Sequence, residues 1–261
     1  MRDRVARVRP DLLDALADAA GEDPFARVEE GTAWAQPAIF AASLAAWAER
    51  GDDAPAPDWV AGHSLGELTA LTVAGVLDEA DAVRLVALRG RLMQEAGPGG
   101  MLALLGAGAA EQAPGIAEAH GLAVANDNAP QQVVLSGERD ALPAAAEAAK
   151  AAGLRAVELP VAGAFHSPLM EPAVEPFRAA VAEVTLHRPR FRVMSCVTAA
   201  PVDDVERLRD TLPGGIRRPV RWREAVLALH ERGVTSFEEV GPGRVLAGLI
   251  KRTLPREVSR A

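Results

Sequence analysis

Ser64 stands between two glycines in "VAGHSLGELTALTVAGV", residues 60–76, after a short apolar run and before a helical pattern. Two roles fit it. A serine is a good helix N-cap, because its hydroxyl can satisfy orphan backbone N–H groups. The same residue on a sharp strand-to-helix turn is a nucleophile elbow. Glycines at 62 and 66 would then let strand and helix approach closely, and the hydroxyl would project at a helix N-terminus, where peptide dipoles favour a developing oxyanion. A serine nucleophile needs a base. Of the five histidines, His63 adjoins Ser64 with a diverging side chain, His120 and His230 fall near helix ends, and His187 sits among arginines in "LHRPRFR". His166, in "LPVAGAFHSPLM", follows an apolar strand pattern and precedes Ser167-Pro168, an N-cap with proline at the first helical position. Strand-to-helix junctions are where α/β folds place site residues. His166 is therefore the candidate base, with a structural role at the junction as the alternative.

A third chemical group is Arg89. On a helix over 78–96, turning about 100° per residue, Val83, Leu85, Val86, Leu88, Leu92 and Met93 form one apolar arc, with Arg84, Arg91 and Glu95 opposite. Arg89 falls inside the apolar arc. An unpaired guanidinium there is costly, so it requires either a carboxylate within the fold or a ligand anion.

The elements that must position these groups read as follows. The first sixty residues are helical, with Pro37 in a first turn, where its missing N–H costs nothing. "PDWVAG" is a short strand leading to Ser64, and two helices follow it up to "GPGG" at 97–100. Beyond that cluster the order is strand, helix, two strands, helix and strand, the βαββαβ ferredoxin-like unit. The remainder returns to α/β, with a helix from Pro168, a strand at "FRVMSCVTA", a helix at "PVRWREAVLALHERG", a strand at "SFEEVG" and a helix at "RVLAGLIKRTL". The fold expected is an α/β core with a mostly parallel sheet, formed by 1–98 and 160–261, and a ferredoxin-like subdomain inserted at 99–159.

Composition narrows the function. Apolar residues make up 49% of the 261 and charged residues 25%, a balance that buries a sizeable core. A net charge of −8 argues against general nucleic-acid binding. A single cysteine, Cys196, cannot form an internal disulfide and fits a reducing, cytoplasmic location. No secretory signal and no membrane-spanning apolar stretch is visible.

"GHSLGE" followed by "AFHS", with "LRGRLMQEA" between them and "EVGPGRVL" near the end, resembles the malonyl-CoA:acyl carrier protein transacylase family. "AQPAIFAAS" and "NDNAPQQVVLSG" match it as well. The resemblance runs from about residue 1 to 254 in the family's order and spacing. It implies a hydrolase-like core with a ferredoxin-like insert, malonyl-CoA as donor, acyl carrier protein as acceptor and no metal or redox cofactor. It makes Ser64 the acyl-accepting nucleophile, His166 its base and the Leu65 N–H half of the oxyanion hole. It assigns Arg89 to the free carboxylate of malonyl, which suits a bidentate fork. Gln36 matches a site glutamine, and Phe165 matches a malonyl-selective position where a ring leaves no room for an α-methyl branch. Asn128 is a cleft candidate, with a turn asparagine as its plainer role.

The chain also departs from the family. Members usually carry a Gly-Gln-Gly-Ser-Gln loop after the first core strand, which supplies the other oxyanion donor. Neither strand nor loop is present, which leaves open a start codon placed downstream or an impaired protein. The carbonyl that orients the histidine in many members belongs to a glutamine; here that place falls near Gly215, and any residue can supply a carbonyl. The expected acceptor is acidic, so docking on this acidic chain requires local positive charge. The candidates are Arg217, Arg218, Arg221 and Arg223, ahead of Arg188, Arg190 and Arg192. A monomer is expected. Alternative readings are the transacylase subunit of malonate decarboxylase, a serine thioesterase, or a truncated homologue that only binds.

Overall fold

A computed structural model describes residues 1–51 and 53–255. Three helices open the chain, α1 (Arg2–Val8), α2 (Asp11–Ala20) and α3 (Thr32–Ala48). Strand β1 (Trp59–Ala61) then leads through the Ser64 turn into α4 (Gly66–Val73) and α5 (Glu79–Glu95). Leu12, Leu16, Phe40, Leu68, Leu71, Val86 and Met93, from four of these helices, bury together in the main core. Pro37 corrects the expected first-turn placement, because it is the sixth residue of α3 and lies inside the helix. The helix starts early because tertiary contacts hold its first turn: the Gln94 side chain accepts the Ala33 N–H, and Gly90 lets the Thr32 carbonyl lie against α5. The missing proline N–H leaves one carbonyl of that turn without its helical donor.

Residues 100–158 carry β2 (Gly100–Leu105), α6 (Ala109–Ala119), β3 (Ala123–Ala129), β4 (Gln132–Gly137), α7 (Leu142–Ala151) and β5 (Arg155–Glu158). The strands form an antiparallel sheet in the order β3-β4-β2-β5. Alternation along β2 explains its two faces. Leu102 and Leu104 pack under Ala109, Ala113, Ala145 and Ala149, whose small side chains let both helices lie close to the sheet. Met101 and Ala103 face the other way and join Ala125, Val134 and Phe165.

The return segment holds α8 (Glu171–Ala182), β6 (Arg192–Ser195), β7 (Ala200–Pro201), α9 (Leu208–Gly215), α10 (Trp222–Glu231) and α11 (Val245–Thr253). The α/β class holds, but the mostly parallel sheet does not. Among the described strands only β1 and β6 pair in parallel, β7 adds to β6 antiparallel, and a single parallel bridge joins Asn126 to Val220. The strand expected at "SFEEVG" is extended chain without a ladder. Its Glu239 is engaged elsewhere, accepting the Leu246 and Ala247 N–H groups at the start of α11. Helix α9 was not anticipated, and it ends in Pro213, Gly214 and Gly215, residue types unfavourable in a helix. Its N-terminal half pays for that ending by burying Leu208 and Leu212 against α8. No helix among the described residues is long and apolar enough to cross a membrane.

Candidate active site

The β1–α4 turn is built as the glycine spacing requires. A Cβ on Gly62 would sit 1.9 Å from the backbone carbon and oxygen of Gly66, so only glycine lets strand and helix cross there. Ser64 takes φ 51°, a left-handed conformation that costs a non-glycine residue energy and persists only where its surroundings impose it. His166 has φ 59°, at the head of a short 3₁₀ turn capped by Ser167, whose Oγ accepts the Leu169 N–H. Two residues with strained backbones thus bring their side chains together, with Ser64 Oγ 2.8 Å from His166 Nε2.

The tautomer follows from the other nitrogen. His166 Nδ1 lies 2.8 Å from the Gly215 carbonyl and 3.2 Å from that of Arg218, so it carries the proton and Nε2 is left to accept from the serine. The carbonyl expected near Gly215 is therefore at Gly215 itself, where α9 ends. Burial, followed by the charge of Arg89, holds His166 down to about 3, so the ring is neutral at physiological pH.

Arg89 is 5% exposed on α5. Its Nη1 donates to Gln36 Oε1 at 2.5 Å and its Nη2 to Ser64 Oγ at 3.1 Å. Gln36 is fixed in turn by donating to Thr32 Oγ1 at 2.8 Å. Among the described residues no carboxylate oxygen comes within 4.0 Å of the guanidinium, so the internal ion pair is ruled out there. Burial lowers Arg89 to about 10, and it remains a cation at neutral pH. The Leu65 N–H, at the head of α4, has no hydrogen-bond partner among the described residues and is available to an oxyanion.

Other candidates lie further out. Asn128 is not a turn residue. It is buried in β3, and its Oδ1 accepts from His63 Nε2 at 2.7 Å, which explains why His63 diverges from Ser64. Phe165 is half-buried and packs against both the main core and the antiparallel sheet. The arginine cluster after α9 is less free than its sequence suggests. Arg217 pairs with Glu171, Arg221 with Glu224, and Arg223 with Asp127 through two hydrogen bonds of 2.8 Å. The last pair joins α10 to β3, beside the backbone bonds Val220 N–Ala125 O and Asp127 N–Val220 O.

Sequence reasoning assigned nothing to Glu67 or Cys196, which share the narrow pocket with Ser64, Arg89 and His166. The signal was present in "LGELTALTVAGVL", where one carboxylate stands in an otherwise apolar helix, the same anomaly that marks Arg89. Among the described residues no cluster of three or more histidine, cysteine or acidic side chains could hold a metal ion.

Comparisons with known proteins identify the family and the fold. The family described as acyl transferase domain matches residues 11–261. The malonyl CoA-acyl carrier protein transacylase of Escherichia coli (strain K12) is 41% identical over 93% of this chain and 84% of its own length. The acyl-carrier-protein S-malonyltransferase structure from Burkholderia pseudomallei is 38% identical with a TM-score of 0.86, covering 95% of this chain and 85% of that one. A malonyl-transacylase solved in complex with a type II polyketide acyl-carrier protein gives a TM-score of 0.88 at 38% identity, over 97% of this chain and 88% of that one. The chain belongs to the acyl transferase domain family and, within it, to the malonyl-CoA:acyl carrier protein transacylases.

Proposed function

We propose that this protein transfers malonyl from malonyl-CoA to the phosphopantetheine thiol of acyl carrier protein, for fatty acid or polyketide synthesis. The observation that carries the reading is the buried Arg89, without a carboxylate partner, donating to the hydroxyl that His166 also contacts. In the first half-reaction Ser64 Oγ attacks the thioester carbon and passes its proton to His166 Nε2. The carbon–sulfur bond breaks, CoA sulfur takes that proton, and a malonyl-serine ester remains. In the second half-reaction the pantetheine thiol gives its proton to His166 Nε2 and attacks the ester carbon, the carbon–oxygen bond to Ser64 breaks, and Ser64 Oγ takes the proton back from His166. Gly215 holds the ring in the tautomer both steps need, Leu65 N–H supports the oxyanion, and Arg89 with Gln36 receives the malonyl carboxylate. Phe165 and Asn128 support the pocket at one remove, and the arginines at 217, 218, 221 and 223 form the docking face for the acidic acceptor.

Mass spectrometry after mixing with malonyl-CoA tests the route. The expected result is a malonyl adduct on Ser64 that discharges when carrier protein is added and is absent in Ser64→Ala. An adduct elsewhere would overturn the assignment. Rapid release of free malonate without carrier protein would make the protein a hydrolase instead.

A further inference from the structure

Glu67 lies in the first turn of α4, three residues after Ser64, and is 2% exposed. Its Oε2 accepts the Cys196 thiol at 3.0 Å, while Oε1 is buried and has no hydrogen-bond partner among the described residues. The groups around it come from every neighbouring element. Arg89 on α5 is the cation, Cys196 follows β6, and His166 stands on the loop ahead of residue 168. Arg89 and Glu67 feel each other's charge, yet they form no ion pair within 4.0 Å.

The Cys196 thiol, the Ser195 hydroxyl and the Cys196 N–H favour the ionised form, but an ionised carboxylate with one empty oxygen, taken out of water, is still strongly disfavoured. The dipole at the head of α4 works in the opposite direction, but it is a weak effect beside desolvation. Burial accordingly pushes the Glu67 carboxyl up from its ordinary range. The pattern differs from a structural ion pair, in which the two charges would touch and cancel.

We propose that Glu67 reserves Arg89 for the substrate: as a neutral acid it stands beside the guanidinium without claiming it, and so determines selectivity for a carboxylate-bearing acyl group. This rests on the reading of Arg89 as the malonyl carboxylate's partner. Protonated, Glu67 leaves Arg89 with uncompensated charge in the pocket. Ionised, it becomes a fixed competitor for the same cation. Malonyl binding therefore weakens as pH rises through the titration of Glu67, whereas binding of an uncharged acyl group such as acetyl does not.

The test compares KM for malonyl-CoA and acetyl-CoA across pH in the wild type and in Glu67→Gln, which keeps the shape and cannot ionise. In the wild type the malonyl KM is expected to rise about tenfold or more as pH is raised from about neutrality through the titration of Glu67, with acetyl changing little. In Glu67→Gln the malonyl-to-acetyl ratio is expected to stay within about threefold over that range. The same rise in both proteins, a flat profile in both, or a tenfold loss of malonyl preference in the variant at about pH 7 overturns the proposal. Should the variant fail to fold, infrared spectroscopy of the wild type decides. A C=O stretch from a protonated carboxylic acid at about pH 7 supports the proposal, and its absence overturns it. Arg89→Ala separates the two levels. If malonyl selectivity survives it, the reading of Arg89 has failed. If selectivity is lost while Glu67→Gln keeps the wild-type pH profile, only the role of Glu67 has failed.

Discussion

Truncating Arg89 to alanine removes the cation from a pocket that provides no replacement. The guanidinium is 5% exposed, and its bonds to Gln36 at 2.5 Å and to Ser64 at 3.1 Å fix it beside the reacting oxygen. A malonyl carboxylate placed there gains charge-assisted hydrogen bonds, each worth about 1.5–3 kcal/mol net. Breaking a buried pair of this kind costs about 3–5 kcal/mol, a loss of roughly 10²–10⁴ in kcat/KM. Acetyl-CoA has no carboxylate and loses only the Arg89–Ser64 bond, about tenfold. Rapid-quench acylation with the two thioesters measures both losses directly. The charge of Arg89 also helps hold His166 down, so the acid limb of the acetyl reaction should move to higher pH in the variant. Equal losses on both substrates, with the acid limb unmoved, would refute the reasoning and make Arg89 a structural residue.

Two further outcomes follow from the same geometry. Gly62→Ala drives a Cβ into the backbone of Gly66 and should cost about 3 kcal/mol or more in urea unfolding, whereas Gly66→Ala, with open space around it, should be neutral or stabilising by up to about 1 kcal/mol. Similar values for the two would show that the turn is not built on that contact. His166, held to about 3 in the fold, titrates at about 6.5 when unfolded, so the stability present above that value is lost as pH falls towards 3, by up to about 1.4 kcal/mol per pH unit. His166→Gln should flatten the fall in urea midpoint between about pH 7 and about pH 4, and parallel slopes would count against the buried neutral ring.

The site was more legible in the sequence than the sheets were. Ser64, His166 and Arg89 announced themselves because each breaks a local rule: a serine in a glycine-bracketed turn, a histidine at a strand end, a cation in an apolar arc. Glu67 broke the same rule and was passed over, because the motif around it drew attention to its serine. The elements at 100–158 followed from the order of strand and helix patterns after the glycine cluster. The strand at "SFEEVG" did not exist, because a strand needs a neighbour and that information lies outside the segment. Helix α9 hid behind Pro213 and two glycines, whose unfavourable propensities tertiary burial outweighs. The turn role weighed for Asn128 fails because its partner, His63, is remote in sequence and meets it only across the interface between the two sheets.

Ser64 and His166, the two residues assigned to the chemistry, both occupy backbone conformations that favour glycine. At each, the native chain holds out against a local preference worth on the order of 1 kcal/mol. Glycine at these positions would relieve the backbone while deleting the reactive side chain, so the strain at Ser64 is retained by activity and that at His166 also by the bonds its buried ring makes to Gly215 and Arg218. A laboratory library screened only for folding would therefore tolerate glycine at the more exposed Ser64 sooner than at the buried His166.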